Sequence, residues 1–273
     1  MPEPRDLVRL VHPAPALAVI ALSSALGAIL AAQAGDPPLG GRIALTVLAV
    51  AGSQILTGAL NDWSDRERDA IAQPTKPIPS GAVSPRAALL VAASGALLQV
   101  AASAQLGWQA LLLGLVASGS AAAYNLALSR TPLSVIPYLV SFGILPLWVA
   151  TGAGVGLERV AAAPLLVGPF AAAAHLANTV RDFDGDARIG SRNLAQVIGR
   201  STAFGLAWAL AMGVGLGVGA SLLLGGRAGL PALLLGAAGL LAVAQGVAGP
   251  RRLWNGMLVG AVCWTAAWAL ATG

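Results

Sequence analysis

This chain is short of charge, of cysteine and of aromatic side chains. Lys, Arg, Asp and Glu make up 10% of its 273 residues, where soluble domains carry about 25%. That scarcity excludes an ordinary soluble domain, and the mean hydropathy of +0.77 agrees. The single cysteine, Cys263, excludes an intrachain disulfide and suggests no metal site. A small buried apolar residue is expected there. Short alternating segments are missing too, which argues against a membrane barrel. No Asp, Glu, Lys or Arg falls in the middle of a long apolar run. That counts against a transporter, because transporters place ionisable groups near the membrane midplane.

What the chain does have is long apolar runs. A membrane-spanning helix needs about 20 apolar residues, and only helices or closed barrels satisfy the backbone inside lipid. Nine such runs occur, at 15–34, 43–60, 87–106, 109–128, 133–153, 161–180, 202–225, 229–248 and 253–272. The expectation is an all-α, polytopic bundle of nine transmembrane helices, one domain over 1–273. The first run follows Arg5 and Arg9 and ends near Ala32-Gln33-Ala34, as a signal peptide would. It is longer than the usual apolar core of a signal peptide, so it reads as a retained span.

The formal charge is +5 and the sequence pI about 10.6. The placement of the cations says more than their number, and it gives no reason to invoke nucleic acid. With nine spans, 13 of the 16 Lys and Arg fall on the N-terminal face and 3 on the other. Cytoplasmic loops carry the excess of Lys and Arg. The N-terminus and the acidic loops at 61–86 and 181–200 are therefore expected to be cytoplasmic, and the C-terminus outside, in a cell membrane of bacterial type.

Carboxylates crowd onto that same face. Asp62, Asp65, Glu67 and Asp69 follow the second run, and Asp182, Asp184 and Asp186 follow the sixth. If 61–69 is helical, Asp62, Asp65 and Asp69 stand at i, i+3 and i+7, on one side of the helix. Asp182 and Asp186 make an i, i+4 pair. Like charges at these spacings repel unless a cation sits on them. Carboxylate oxygens suit Mg²⁺, which takes one or two carboxylates together with phosphate oxygens. Arg66, Arg68, Lys76, Arg130, Arg181, Arg188 and Arg192 are interleaved, and such cations clamp phosphoryl oxygens. Metal ligands and phosphate clamps at the mouth of a greasy bundle suggest a lipid diphosphate, its head at the aqueous edge and its tail among the helices. One cluster alone reads as readily as a solvated loop with surface ion pairs. Two clusters on one face, four spans apart, fit that reading less well.

The motifs resemble those of the UbiA superfamily of intramembrane prenyltransferases. Asn61-Asp62-Trp63-Ser64-Asp65-Arg66-Glu67-Arg68-Asp69 is similar to that family's NDxxDxxxD motif, and Lys76-Pro77-Ile78-Pro79-Ser80-Gly81 to the (R/K)P(L/I)PSG after it. Asp182 to Asp186, with Gly190 and Arg192, resembles the second motif. Tyr124-Asn125 and the Arg9 to His12-Pro13 entry to the first helix also match. The resemblance covers nearly the whole chain.

It implies nine helices around a central prenyl-binding cavity. It further implies Mg²⁺ held by Asn61, Asp62, Asp65 and Asp69 on one side and Asp182 and Asp186 on the other. Lys76, Arg130 and Arg192 would hold the diphosphate, with Arg68 a further candidate, and Tyr124 would face the allylic carbon or the leaving group. The implied reaction is transfer of a prenyl group from an isoprenyl diphosphate to a hydrophobic acceptor, aromatic or a quinone precursor. An intramembrane terpene cyclase of the same superfamily is the alternative. The sequence departs from the pattern where members with aromatic acceptors often have Tyr or Lys and it has Asn178, at Thr179, and at Ser129-Arg130. These departures leave the acceptor open. Asp184 is an additional carboxylate. His12 and His175 read as structural, the Trp residues as packing or interface anchors, and Gly213, Gly215, Gly217 and Gly219 as a helix-packing face.

Overall fold

The computed structural model describes residues 3–35, 40–226 and 228–272. The α-helices run in the order α1 Pro4–Leu10, α2 Pro13–Gln33, α3 Gly41–Ala72, α4 Pro85–Leu106, α5 Trp108–Ala123, α6 Ile136–Ala153, α7 Pro164–Arg181, α8 Phe183–Arg188, α9 Leu194–Ile198, α10 Arg200–Leu224, α11 Leu230–Ala244 and α12 Pro250–Thr272. Among the described residues there is no strand. Eight segments are long and apolar enough to cross a membrane: Pro13–Gln33, Gly41–Ala72, Pro85–Leu106, Trp108–Leu128, Pro132–Ala153, Arg200–Leu224, Leu230–Ala248 and Pro250–Ala271. They coincide with eight of the nine expected runs. The remaining run, 161–180, is the 18-residue helix α7, which carries His175, Asn178 and Arg181 in its last two turns and is accordingly more polar.

α3 is the longest helix, with 32 residues. At 1.5 Å per residue it is about 48 Å long, while the hydrocarbon layer is about 30 Å thick. Its last three turns, Asn61 to Ala72, therefore stand beyond the lipid. The helix stops at Gln73, whose φ of −143° leaves the helical region. Gln73 precedes Pro74, and the proline ring crowds a helical conformation at the residue before it.

The chain divides into two compact units. One comprises Met1–Ser129 with Ile144–Ala161, the other Arg130–Gly143 with Ala162–Gly273. In the first, α3 and α4 meet backbone to backbone. A Cβ on Gly52 would lie 2.7 Å from the Gly95 carbonyl oxygen, and one on Gly95 would lie 2.7 Å from that of Gly52. Small residues allow this approach, which dispersion rewards where lipid gives helices no hydrophobic reason to associate. Trp148 of α6 is buried over Gly114 of α5, where a Cβ would come within 2.8 Å of the indole. The Ser118 hydroxyl donates to Ser53 Oγ at 2.9 Å.

In the second unit, the Trp264 indole N–H donates to the Gly236 carbonyl at 3.2 Å, and its ring meets Phe170 edge-on at 5.5 Å. The α10 glycines divide. Gly215 lies under Trp264 and Leu240 and Gly217 under Leu166, whereas Gly213 and Gly219 face open space. Only half of the expected glycine face therefore packs. Cys263 is half-buried rather than buried.

A branched side chain at the α3–α4 contact forces the two backbones apart. Gly95→Val is expected to cost about 1–3 kcal/mol and to lower the thermal unfolding midpoint in detergent, while Gly213→Ala leaves it unchanged. Equal midpoints for the two variants would contradict the close approach.

Candidate active site

The first carboxylate cluster lies on the extension of α3. Asp62 and Asp69 face inward, with 2% and 6% relative exposure. Burying a carboxylate is costly unless it is paired, and one lysine pairs both. Lys76 Nζ lies 3.0 Å from Asp62 Oδ1 and 2.7 Å from Asp69 Oδ2. Burial depresses the Lys76 pKa, but the hydrogen bond to Asp69 and the charge of Asp62 outweigh it, so the ammonium is held above its ordinary value. Asp62 Oδ1 also meets His12 Nε2 at 2.9 Å, while its buried Oδ2 has no hydrogen-bond partner. Asp65 is paired with Arg68 one turn on.

Lys76 reaches the helix because the segment after α3 folds back. The Ser80 N–H donates to the Lys76 carbonyl at 3.0 Å and the Val83 N–H to the Pro77 carbonyl at 2.9 Å. Gly81 turns the chain at φ +77°, a region glycine enters without strain. Ile78 and Val83 are buried in a cluster with Leu10, Ala59, Leu60, Ala88 and Ala92. Arg9 donates to the Thr75 carbonyl at 2.8 Å, pinning the same segment from α1. The run after the first motif is thus an apolar anchor that aims one cation at two aspartates.

Asn61 does not stand among the carboxylates' partners. Its amide donates to Asn125 Oδ1 at 3.2 Å, and Asn125 donates to the Thr57 carbonyl at 2.9 Å. Asn125 sits in a π-helical turn, Tyr124–Leu128, that continues α5 and closes with the Ser129 N–H on the Tyr124 carbonyl at 2.9 Å. Such turns are frequent at functional sites. Tyr124 begins the turn and is half-buried.

The second cluster belongs to the other unit. α7 ends at Arg181, and Asp182 stands between it and the short α8. The Asp186 N–H donates to the Asp182 carbonyl at 2.9 Å, so the expected i, i+4 relation exists in the backbone. Asp182 is half-exposed beside Arg181 at 3.3 Å. Asn193 donates to Asp186 Oδ2 at 2.7 Å while its own Oδ1 caps α9 through the Gln196 N–H at 3.0 Å. Asp184 points to Arg200 at 3.2 Å on the exposed side. The Arg192 N–H donates to the Arg130 carbonyl at 3.1 Å, and both side chains are exposed. His175 lies 3.1 Å from Ser134 Oγ and stacks on Tyr138, in a buried structural role.

Among the described residues no three His, Cys, Asp or Glu side chains converge as a metal site by themselves. The chemistry of the donors nonetheless fits Mg²⁺. Asp62 offers a buried oxygen with no partner, on the helix face it shares with Asp65 and Asp69. Mg²⁺ draws its remaining ligands from phosphate and water, so three converging carboxylates are not required. Sequence reasoning missed His12 as a partner of Asp62 and Asn193 as the support of Asp186. The His12-Pro13 step was the available signal for the first. Asn193 carried none beyond its N-cap position.

A model described as the UbiA prenyltransferase family matches residues 21–253. The chain belongs to that family. It is an integral membrane protein, and like its family an enzyme of prenyl transfer. It is 33% identical over 198 residues to digeranylgeranylglyceryl phosphate synthase of Natronomonas pharaonis, covering 71% of this chain and 69% of that one. It is 30% identical over 218 residues to the bacteriochlorophyll synthase 33 kDa chain of Rhodobacter capsulatus, covering 74% and 70%. A solved UbiA homolog from Archaeoglobus fulgidus, bound to GPP and Mg²⁺, superposes with a TM-score of 0.71 at 16% identity, covering 98% of this chain and 100% of that one. The structural likeness shows that this UbiA member has the fold of that homolog.

Removing the Lys76 charge strands two buried carboxylates. Lys76→Met is expected to destabilise the protein by about 1–3 kcal/mol, read as a lower unfolding midpoint. Glu67→Gln, at an exposed carboxylate 3.3 Å from Arg66, serves as the comparison and is expected to change nothing. An unchanged midpoint for Lys76→Met would remove the argument that this lysine supports the cluster.

Proposed function

We propose that the chain, acting as one domain over residues 1–273, transfers a prenyl group from an isoprenyl diphosphate to a hydrophobic acceptor within the membrane. The observation that carries the residue assignment is Asp62, a buried carboxylate with one oxygen unpartnered, on the α3 face that also carries Asp65 and Asp69. Asn61, Asp62, Asp65 and Asp69, with Asp182 and Asp186, are the proposed Mg²⁺ ligands. Bound Mg²⁺ would supply positive charge at the diphosphate oxygens as the allylic C–O bond breaks.

The chain's own groups do the rest. Lys76, Arg130 and Arg192, with Arg68 as a further cation, are proposed to hold the diphosphate. Their charge stabilises the leaving group more as it departs than before. Lys76 is held charged between Asp62 and Asp69 of α3, at the place proposed for the diphosphate. The allylic cation needs a dry surrounding, which apolar helices supply. Tyr124, at the π-helical turn, is the proposed neighbour of the reacting carbon. No nucleophilic side chain is required, because the acceptor attacks directly.

An aromatic or quinone-precursor acceptor remains the reading from sequence. One relative named for a glyceryl phosphate product and one named for bacteriochlorophyll broaden the set to be tried. The proposed setting is a bacterial cell membrane, with the N-terminus and both acidic segments cytoplasmic and the C-terminus outside. The split of 13 to 3 in Lys and Arg supports that orientation.

The test is diphosphate release by purified protein given geranyl, farnesyl and geranylgeranyl diphosphates, with and without Mg²⁺ and with a panel of acceptors. Asp65→Ala and Asp182→Ala are each expected to lower the rate at least about 100-fold, the scale of losing transition-state charge stabilisation. Asp184→Ala, at the exposed side, stays near wild type. A wild-type rate in Asp65→Ala or Asp182→Ala would overturn the ligand assignment. A cyclic hydrocarbon released in place of a prenylated acceptor would decide for the cyclase.

A further inference from the structure

A feature independent of the diphosphate reading is the open groove between α11 and α12. The groove, of about 480 Å³, runs along these two helices. They are antiparallel neighbours joined by the short turn Gln245–Ala248. Gly256 makes the groove possible. It brings α12 so close to the Ala242 carbonyl of α11 that no Cβ would fit, and the side chains on either side then form the walls.

The groove is polar at one end and apolar at the other. Gln245, Arg252 and Asn255 line the end at the helix connection, and Leu241 and Val259 line the stretch further along. Seven residues separate Arg252 from Val259, so the apolar wall begins within about 10 Å of the cation. Among the described residues none of the three polar side chains makes a hydrogen bond or ion pair. One guanidinium and two amides without protein partners form a set of donors for a phosphate. The positive end of the α12 dipole lies there too, since that helix starts at Pro250. Arg251 is adjacent in the chain and exposed, as Arg252 is, but does not line the groove.

We propose that this groove holds one anionic phospholipid from the leaflet at that end. The phosphate would lie against Arg252 between the amides of Gln245 and Asn255, and the first carbons of an acyl chain would lie along Leu241 and Val259. The order of polar and apolar walls is the order of head and chain in a bilayer lipid. A single cation at the polar end matches a headgroup of net negative charge.

Native mass spectrometry of delipidated protein, titrated with phosphatidylglycerol or with phosphatidylcholine of the same chains, tests this. Wild type is expected to retain one tight copy of phosphatidylglycerol in preference to phosphatidylcholine. Arg252→Gln removes the cation and Val259→Trp fills the chain end. Each should weaken retention about tenfold, the worth of one charge-assisted hydrogen bond or a comparable loss of contact, while Arg251→Gln, outside the groove lining, stays within about twofold. Failure to bind phosphatidylglycerol, equal retention of the two lipids, or an equal loss in Arg251→Gln would overturn the proposal. So would displacement of the lipid by equimolar glycerol phosphate, which would show an anion site with no chain contribution. Diphosphate release should persist in all three variants. Its behaviour reports on the active site, and lipid retention reports on the groove.

Discussion

A buried negative charge has to be answered, and in this protein the answer to Asp62 organises one whole end of the chain. Lys76 and His12 both converge on its Oδ1. Bringing Lys76 there requires the fold-back after α3, and that requires Ile78 and Val83 to be buried under α1 and α4. Bringing His12 there requires the chain to turn between α1 and α2 in the left-handed region, at φ +53°. A non-glycine residue adopts that conformation at a cost, offset here by the contact it secures. The carboxylate, the lysine, the histidine and the apolar anchor are therefore one construction. Its net result is a carboxylate held rigidly by one oxygen with the other left open.

The two acidic segments are built differently. The first is a rigid helical extension whose carboxylates are neutralised by side chains on its own unit. The second is a junction between short helices, where Asp182 is half-exposed and Asp186 is held by the neutral amide of Asn193. Asp186 is thus oriented by an amide of its own unit, whereas Asp62 and Asp69 share the Lys76 ammonium.

Most of the fold could be read from the sequence because lipid imposes few choices. Runs such as 43–60 and 202–225 are too long and too apolar to be anything but spans. α7 was legible as a run but not as a more polar helix, because its length matches the others while His175 and Asn178 lower its apolar character. The i, i+3, i+7 spacing of Asp62, Asp65 and Asp69 announced a helix face correctly. The partners of those carboxylates were harder to see. Lys76 was read as a cation for phosphate, yet its contacts here are with Asp62 and Asp69, and nothing in local spacing reveals a chain that doubles back. The Asn61–Asn125–Thr57 chain joins residues 64 and 68 positions apart, and a π-helical turn leaves no periodic mark in an apolar run.

The length of α3 has one more consequence. The same rigid rod crosses the bilayer and carries the carboxylates above it, and its packing against α4 through Gly52 and Gly95 leaves it little freedom to slide. The height of the carboxylates above the lipid is therefore fixed relative to the hydrophobic belt rather than to the water surface. A bilayer a few ångströms thicker would draw the first turn of the acidic face toward hydrocarbon, and a thinner one would lift it clear. The length of one helix thus sets how far its acidic end stands from hydrocarbon in a bilayer of given thickness.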